Sequence, residues 1–225
     1  MYADDVAAIL VEPVLGEGGY VVPPAQFLRD LRQFCDERGI LLIVDEVQTG
    51  FGRTGTMFAV EHGGVTPDIM VMAKGLASGF PLSGIATRPD IVARWTPGVH
   101  GGNAVACAAA AATLDVMRDE DLSGNARRQG RVLLGGLLNL QETYPFIGDV
   151  RGVGLMVAAE MVTPDGTPDA ARVGAVLKAC EERKLILLNC GSWDQVVRFI
   201  PPLIATTAQV EEGLGLFEAA LASVA

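Results

Sequence analysis

The sequence predicts an α/β protein, in which a mostly parallel sheet with helices is followed by a smaller α+β unit. Two apolar runs, Ile40 to Val44 and Ile69 to Ala73, are short and continuous, which is typical of strands buried on both faces. An earlier apolar strand is predicted at Val6 to Val11, and Pro24 to Arg38 has the spacing of an amphipathic helix. Strand, helix and strand in this order make a β-α-β unit, whose strands are parallel.

The later elements change character after residue 117. A short strand is predicted at Leu82 to Thr87 and an alanine-rich helix at Ala104 to Met117. Beyond them, amphipathic helices alternate with short strands, the pattern of helices packed on one face of a small antiparallel sheet. We therefore predict one domain at residues 1–117 and a second, α+β domain at residues 118–225. The second domain is predicted to contain helices at 119–141, 170–183 and 208–224 and strands at 152–160, 185–189 and 196–200.

Composition limits the classes of function. The net charge of -10 and the pI near 4.6 argue against a nucleic-acid partner, because phosphates would be repelled. No apolar run reaches the ~20 residues of a membrane span, and the first residues carry acids where a signal peptide carries Lys or Arg. We therefore expect a cytoplasmic protein with no membrane partner. The four cysteines have no metal-ligand spacing, so we expect reduced, structural thiols and no metal site.

Three polar side chains directly follow the predicted parallel strands. Glu12, Asp45 and Lys74 come after the first, second and third strand, and open α/β sheets bind ligands outside these carboxyl ends. A partly desolvated lysine amine has a lowered pKa and is nucleophilic toward a carbonyl. An acid beside such a lysine suggests pyridoxal phosphate, because the lysine can form a Schiff base while the acid pairs with the protonated pyridine nitrogen.

The motifs around these residues resemble those of a known family. The stretch DEVQTGFGRTG, which begins at Asp45, and the stretch PDIMVMAKGLASGFPLSG, which contains Lys74, are similar to class III aminotransferases of fold type I. Among these, 4-aminobutyrate transaminases are the most similar. The resemblance covers nearly the whole chain and implies the C-terminal part of the large domain of a pyridoxal-phosphate-dependent transferase, followed by a small α+β domain. It also implies a homodimer that moves an amino group from an ω-amino acid to a 2-oxo acid, 2-oxoglutarate.

The resemblance implies a role for each matching residue at the cofactor. Lys74 would be the catalytic residue, as the covalent ligand of the cofactor and the acid and base of proton transfer. Asp45 would pair with the pyridine nitrogen. Val47 would pack on the cofactor ring, and Gln48 would bond its 3-hydroxyl group.

Two further residues are implied to bind substrate. By resemblance, Arg198 binds the substrate α-carboxylate with two parallel hydrogen bonds. Glu12 is implied to be the acid that pairs with such an arginine and releases it when a dicarboxylate arrives. Taken alone, a strand arginine such as Arg198 can simply face solvent, and Glu12 can simply cap nearby backbone.

Other interpretations stay open. The segment LLIVDE also resembles the Walker B strand of a P-loop ATPase, although the chain has no G-x-x-x-x-G-K-[ST] motif. The phosphate cup of the family's N-terminal half is absent, and Gly98 to Asn103 is shorter than the family's loop and lacks its threonine. We therefore expect this chain alone to bind the cofactor weakly or not at all. The alternatives are a non-catalytic fragment, or a class III relative that acts on acetylornithine, diaminobutyrate or glutamate semialdehyde.

Overall fold

A computed structural model describes residues 5–95 and 101–225 of the chain, which divides into two compact units. The first unit comprises Met1–Pro13 and Pro23–Leu122, and the second comprises Val14–Val22 and Ser123–Ala225. The sequence analysis placed the boundary between residues 117 and 118. In the structure the boundary follows Leu122, and the segment Val14–Val22, called here the 14–22 loop, belongs to the second unit.

The first unit contains a four-stranded, mostly parallel sheet, as predicted. Its strands, in order across the sheet, are β1 (Ala8–Val11), β2 (Leu41–Asp45), β3 (Ile69–Met72) and β4 (Gly84–Thr87), with β4 antiparallel to β3. Its helices are α1 (Phe27–Arg38), α2 (Val60–Gly63), α3 (Pro89–Val92) and α4 (Ala104–Asp119), and a 3-10 turn at Lys74–Ala77 follows β3. Leu42 and Val44 of β2 are fully buried, which explains the continuous apolar run.

Asp68 fastens the amino ends of β2 and β3. Its carboxylate accepts hydrogen bonds from the backbone N of Leu42 at 2.7 Å and from Arg32 at 2.8 Å, and it also pairs with Arg88. Burial is the largest single influence on the pKa of Asp68 and by itself would raise it. The hydrogen bonds and charges of these partners together outweigh burial, so the pKa is lowered. Asp68 thus holds the amino ends of the two strands together. Open α/β sheets bind ligands outside the carboxyl ends of their strands, so a ligand is expected at the opposite edge of this sheet.

The second unit has α+β architecture. Its helices are α5 (Leu122–Thr143), whose first residue belongs to the first unit, α6 (Ala170–Glu182) and α7 (Thr207–Val224). Its strands are β5 (Ile147–Val153), β6 (Met156–Met161), β7 (Leu188–Cys190) and β8 (Val196–Phe199). The strands form an antiparallel sheet in the order β5-β6-β8-β7. Val157, Ala159 and Phe199 pack with the helices on one face, whereas Met156 and Ala158 pack with the 14–22 loop on the other.

Two elements differ from their prediction for local backbone reasons. The sequence predicted one strand at residues 152–160, but β5 and β6 are antiparallel and turn at Gly154, whose φ of +58° lies in the left-handed region. The helix predicted to begin at Asp119 begins at Leu122, because Asp121 has a φ of +47° and interrupts the helical path after α4. Among the helices of the described residues, none is both long and apolar enough to cross a membrane.

Candidate active site

The carboxyl ends of three neighbouring parallel strands carry three of the predicted residues. Asp45 is the last residue of β2 and is paired with Val71 of β3. Glu12 directly follows β1, whose last residue is paired with Val44. Lys74 begins the 3-10 turn that follows β3. The first unit therefore brings Glu12, Asp45 and Lys74 to one edge of its sheet.

The carboxylate of Asp45 is fixed relative to the loop that follows it. Its Oδ1 accepts a hydrogen bond from the backbone N of Val47 at 2.9 Å. Asp45, Val47 and Gln48 are all half-buried, so each is accessible to a small molecule without being fully solvated. This geometry presents a carboxylate, an apolar side chain and an amide from one short segment.

Glu46, which the sequence analysis did not single out, organises the glycine-rich loop from within the protein. Its side chain is 0% exposed and accepts hydrogen bonds from the backbone N of Ala59 at 3.0 Å and of Val60 at 2.7 Å, and from the hydroxyl of Thr49. Burial, the largest influence, raises the pKa of Glu46. Both carboxylate oxygens are used, so Glu46 ties the two ends of the loop between β2 and α2 together.

Replacing Glu46 by glutamine should therefore destabilise the fold. The amide nitrogen of Gln would face a backbone N–H, and one unsatisfied buried donor costs about 1–3 kcal/mol in the free energy of unfolding. Since the folded pKa of Glu46 lies above the unfolded value, its contribution to stability is greatest below the unfolded pKa and falls as pH rises through the folded pKa. Urea unfolding should thus show a larger deficit for Glu46→Gln at about pH 5 than at about pH 8.

The matched control for this prediction is Glu61→Gln. Glu61 accepts a hydrogen bond from the backbone N of Phe58 at 2.7 Å in the same region, but its side chain is exposed. Its replacement should change the free energy of unfolding by less than about 0.5 kcal/mol. Equal effects of the two substitutions would show that Glu46 does not organise the loop.

Lys74 is presented by a strained and well-supported turn. Its φ is +46°, a region that residues with a Cβ rarely adopt and that is found more often at functional positions. A methyl group added to Gly75 would lie 3.4 Å from the Cβ of Phe51, so the glycine-rich loop packs closely on this turn. The hydroxyl of Thr113 in α4 donates to Ser78 at 3.1 Å on the other side. The side chain of Lys74 itself is exposed, whereas the sequence analysis expected partial desolvation.

Arg198 lies in the second unit, on β8, and is largely buried. Its side chain is 13% exposed, and its Nη1 donates to the carboxylate of Glu17, whose side chain is 70% exposed. Burial is the largest single influence on the pKa of Arg198 and by itself would lower it. The hydrogen bond and the charge of Glu17 outweigh burial, so the pKa is raised. Among the described residues, the buried Nε of Arg198 has no hydrogen-bond partner. The guanidinium therefore has an unused donor in addition to its bond with Glu17.

The acid beside Arg198 is thus Glu17, which the sequence analysis passed over in favour of Glu12. Glu17 belongs to the 14–22 loop and Glu12 to the first unit, after β1. The signal that could have identified Glu17 is its place in the run Gly16-Glu17-Gly18-Gly19, where a single charged residue stands among glycines. Such a segment allows close approach of its backbone to another element.

The predicted departure from the family's loop falls largely outside the described residues. Of Gly98 to Asn103, the structure describes residues 101–103. Asn103 is the N-cap of α4, and its side chain accepts hydrogen bonds from the backbone N of Val105 at 2.9 Å and of Ala106 at 3.2 Å.

The donor set at the edge of the first sheet fits pyridoxal phosphate. Lys74 offers an exposed primary amine for covalent attachment, and Asp45 offers a held carboxylate on the neighbouring strand. Val47 and Gln48 would supply an apolar contact and an amide to the ring. Across residues 5–95 and 101–225, no group of three or more His, Cys, Asp or Glu side chains is placed to hold a metal ion.

Comparisons with known proteins identify the family of the chain. A family model described as Aminotransferase class-III matches residues 1–221. The chain is 45% identical over 226 residues to 5-aminovalerate aminotransferase DavT of Pseudomonas putida. The alignment covers 98% of this chain and 53% of that protein. It is also 44% identical over 218 residues to 4-aminobutyrate aminotransferase GabT of Escherichia coli, and this alignment covers 94% of this chain and 51% of that protein.

A solved structure shows the same fold. N-acetylornithine aminotransferase from Stenotrophomonas maltophilia superposes with a TM-score of 0.88 at 36% identity, over 99% of this chain and 58% of that one. The chain spans about half the length of the curated relatives it matches. Because the family model matches nearly every residue, the chain belongs to the class III aminotransferases, a family that depends on pyridoxal phosphate.

Proposed function

We propose that the chain is the lysine-bearing part of a transaminase that moves an amino group from an ω-amino acid, such as 4-aminobutyrate, to 2-oxoglutarate. The observation that carries this choice of substrates is the pair of a buried Arg198 with an exposed Glu17. Relatives named for 4-aminobutyrate and 5-aminovalerate support it, since both names denote ω-amino acids. The proposal includes a homodimer, as the family resemblance implies, and a cytoplasmic location, as expected from the composition of the chain.

The residues of the first unit would hold the cofactor and move protons. Pyridoxal phosphate, when bound, supplies an electron sink for the bonds at the amine-bearing carbon. Asp45 would keep a proton on the pyridine nitrogen, Val47 would pack on the ring, and Gln48 would bond the 3-hydroxyl group. Lys74 would hold the cofactor through its amine, and the same amine would serve as general base and acid for proton transfer.

The Arg198–Glu17 pair would let one enzyme accept two kinds of substrate. An ω-amino acid has no carboxylate beside its reacting carbon, so the buried Arg198 needs an anion from the protein, and Glu17 supplies it. An unpaired buried charge costs about 3–5 kcal/mol, which makes this pairing important. When 2-oxoglutarate brings its own α-carboxylate, Glu17 can leave Arg198 at low cost, because its side chain is already 70% exposed. Glu12 remains a candidate substrate residue at the sheet edge of the first unit.

Two alternatives to this proposal have support of their own. The first alternative is a class III enzyme that acts on acetylornithine, diaminobutyrate or glutamate semialdehyde. The structural likeness to an N-acetylornithine aminotransferase supports it. A non-catalytic fragment is the second alternative, because the chain spans about half the length of its relatives.

The test is an assay of amine transfer to 2-oxoglutarate from 4-aminobutyrate, 5-aminovalerate and N-acetylornithine. We would assay the purified chain alone and after coexpression with the remaining N-terminal part of the Escherichia coli 4-aminobutyrate enzyme. We expect transfer from the two ω-amino acids in the coexpressed sample. Faster transfer from N-acetylornithine would favour the first alternative, and no transfer in any sample would favour the non-catalytic fragment.

A further inference from the structure

Two arginines of the second unit stand on the same face of its sheet. Arg151 of β5 is paired with Ala158 of β6, and Ala158 is paired with Arg198 of β8. Directly opposite residues of antiparallel strands have their side chains on one face. The two arginine side chains therefore leave the sheet two strands apart, with the small and fully buried Ala158 between them.

The 14–22 loop lies on this face as a closed unit. Leu15 and Val21 bond each other through backbone N and O at 3.0 and 3.2 Å, which joins the two ends of the loop. Tyr20 is fully buried and packs, within one apolar cluster, with Met156 and Ala158. The loop backbone is thus held by packing at Tyr20, and its polar groups meet the arginines.

Arg151 joins the 14–22 loop to the sheet. Its Nε and Nη2 donate to the carbonyl oxygen of Gly19 at 2.9 and 2.6 Å, and its Nη1 donates to Asp149 at 2.7 Å and to Glu160 at 2.6 Å. With two carboxylates beside it and a side chain only 18% exposed, its charge is matched within the protein. Arg198 differs, because its carboxylate partner Glu17 is more exposed to solvent than either partner of Arg151.

The backbone of Glu17 is fixed while its side chain is not. The backbone N of Gly191 donates to the carbonyl oxygen of Glu17 at 2.9 Å, and Arg151 holds the carbonyl of Gly19 two residues later. The Cβ that a side chain at Gly19 would add lies 3.2 Å from Nη2 of Arg151, so glycine permits this close bond. The carboxylate of Glu17 can therefore leave Arg198 by rotation of the Glu17 side chain alone.

We propose that Arg151 is a positioning residue that anchors the 14–22 loop and so sets how strongly Glu17 competes with an incoming carboxylate for Arg198. This inference rests on the proposed function. A tethered group competes according to its effective concentration at the site, which falls when the tether becomes loose. Arg151 therefore tunes the affinity for dicarboxylates without touching them. Lysine cannot replace it, because lysine lacks the planar fork that bonds one carbonyl twice while also reaching two carboxylates.

The test measures binding of glutarate, a dicarboxylate, to the purified chain by calorimetry, without cofactor. Glu17→Gln should tighten glutarate binding about fivefold, because glutarate then no longer competes with the charged Glu17 for Arg198 and one hydrogen bond is worth about this factor. Arg151→Lys should tighten it to a similar degree, and the double variant should bind no more tightly than Glu17→Gln alone, since both changes remove the same competitor. Arg198→Met should abolish binding in every background.

Hydrogen exchange provides a readout of the anchor itself. Peptides that cover the 14–22 loop should exchange faster in Arg151→Lys but not in Glu17→Gln. The matched control is Arg172→Lys, since Arg172 also bonds a carboxylate, Asp169 at 3.2 Å, and a backbone carbonyl, Val224 at 3.1 Å, in the same unit. This control should change neither exchange of the loop nor glutarate binding.

The outcomes separate the inference from the proposed function. Tighter binding in Glu17→Gln with no response to Arg151→Lys, or unchanged exchange of the loop in Arg151→Lys, would overturn the inference alone. Full additivity of the two substitutions would overturn it as well. Absence of any Arg198-dependent glutarate binding would overturn the role proposed for Arg198 and the inference together.

Discussion

Replacing Lys74 by alanine should abolish covalent attachment of pyridoxal phosphate and, with it, amine transfer. The chain contains three lysines, and Lys74 belongs to the first unit, directly after β3, whereas Lys178 and Lys184 belong to the second unit. The first unit has no other lysine in its sequence, so we expect a loss of activity on the order of a millionfold, as when other covalent nucleophiles are removed. Incubation with excess cofactor, borohydride reduction and mass mapping of peptides measures the attachment directly.

The other two lysines provide the controls for this experiment. Lys178 lies on α6 and Lys184 follows it, and both side chains are exposed. Lys178→Ala should therefore leave the label on Lys74 unchanged. Labelling that persists in Lys74→Ala, or that is spread evenly over the three lysines in the unsubstituted chain, would contradict the assignment of Lys74.

Replacing Asp45 by asparagine should lower the rate of amine transfer while cofactor attachment persists. Asparagine retains an oxygen that can accept the bond from Val47, now 2.9 Å long, so the loop geometry is preserved and the lost feature is the negative charge. Without that charge the pyridine nitrogen keeps its proton less well, and the cofactor becomes a weaker electron sink. Removal of one preorganised electrostatic partner costs about 10²–10³-fold in rate.

Asp45→Ala serves as the comparison, because it removes both the charge and the bond to Val47. We expect its rate to fall at least as far as that of Asp45→Asn, with weaker retention of the cofactor. The rates are measured with 4-aminobutyrate and 2-oxoglutarate at saturating cofactor, and attachment is measured by reduction and mass mapping. A near-normal rate in Asp45→Asn would place Asp45 outside the chemistry.

Local sequence patterns were sufficient to predict the edge of the parallel sheet. Continuous apolar runs mark strands buried on both faces, and the first polar residue after each run marks the carboxyl end. The sequence alone therefore places Asp45 and Lys74 at neighbouring strand ends. The same local logic predicted α1, α6 and α7 to within a few residues, because each has a clear apolar spacing.

Features that depend on distant residues could not be predicted in this way. Glu17 and Arg198 are 181 positions apart in sequence, and no local pattern indicates that their side chains pair. Glu46 was overlooked because a carboxylate after an apolar run suggests an exposed strand end, whereas three donors on the returning loop hold it inside. The strand β5 was missed because its polar residues, among them Asp149 and Arg151, have partners that only the folded sheet supplies.

The 14–22 loop has a consequence for how the second unit can be obtained and folded. Its residues are synthesised well before β5, and the bond between Gly19 and Arg151 closes a span of 132 positions in the chain. Closing so long a span is entropically costly and slows folding, so we place this docking late, after β5, β6 and β8 have paired. A polypeptide cut at the boundary suggested by sequence, residue 118, would lack Val14 and Tyr20 and would leave Met156, Ala158 and Val196 uncovered. The smallest autonomous version of this unit is therefore discontinuous, and a circular permutation that joins the loop to the C-terminal segment is the economical way to express it.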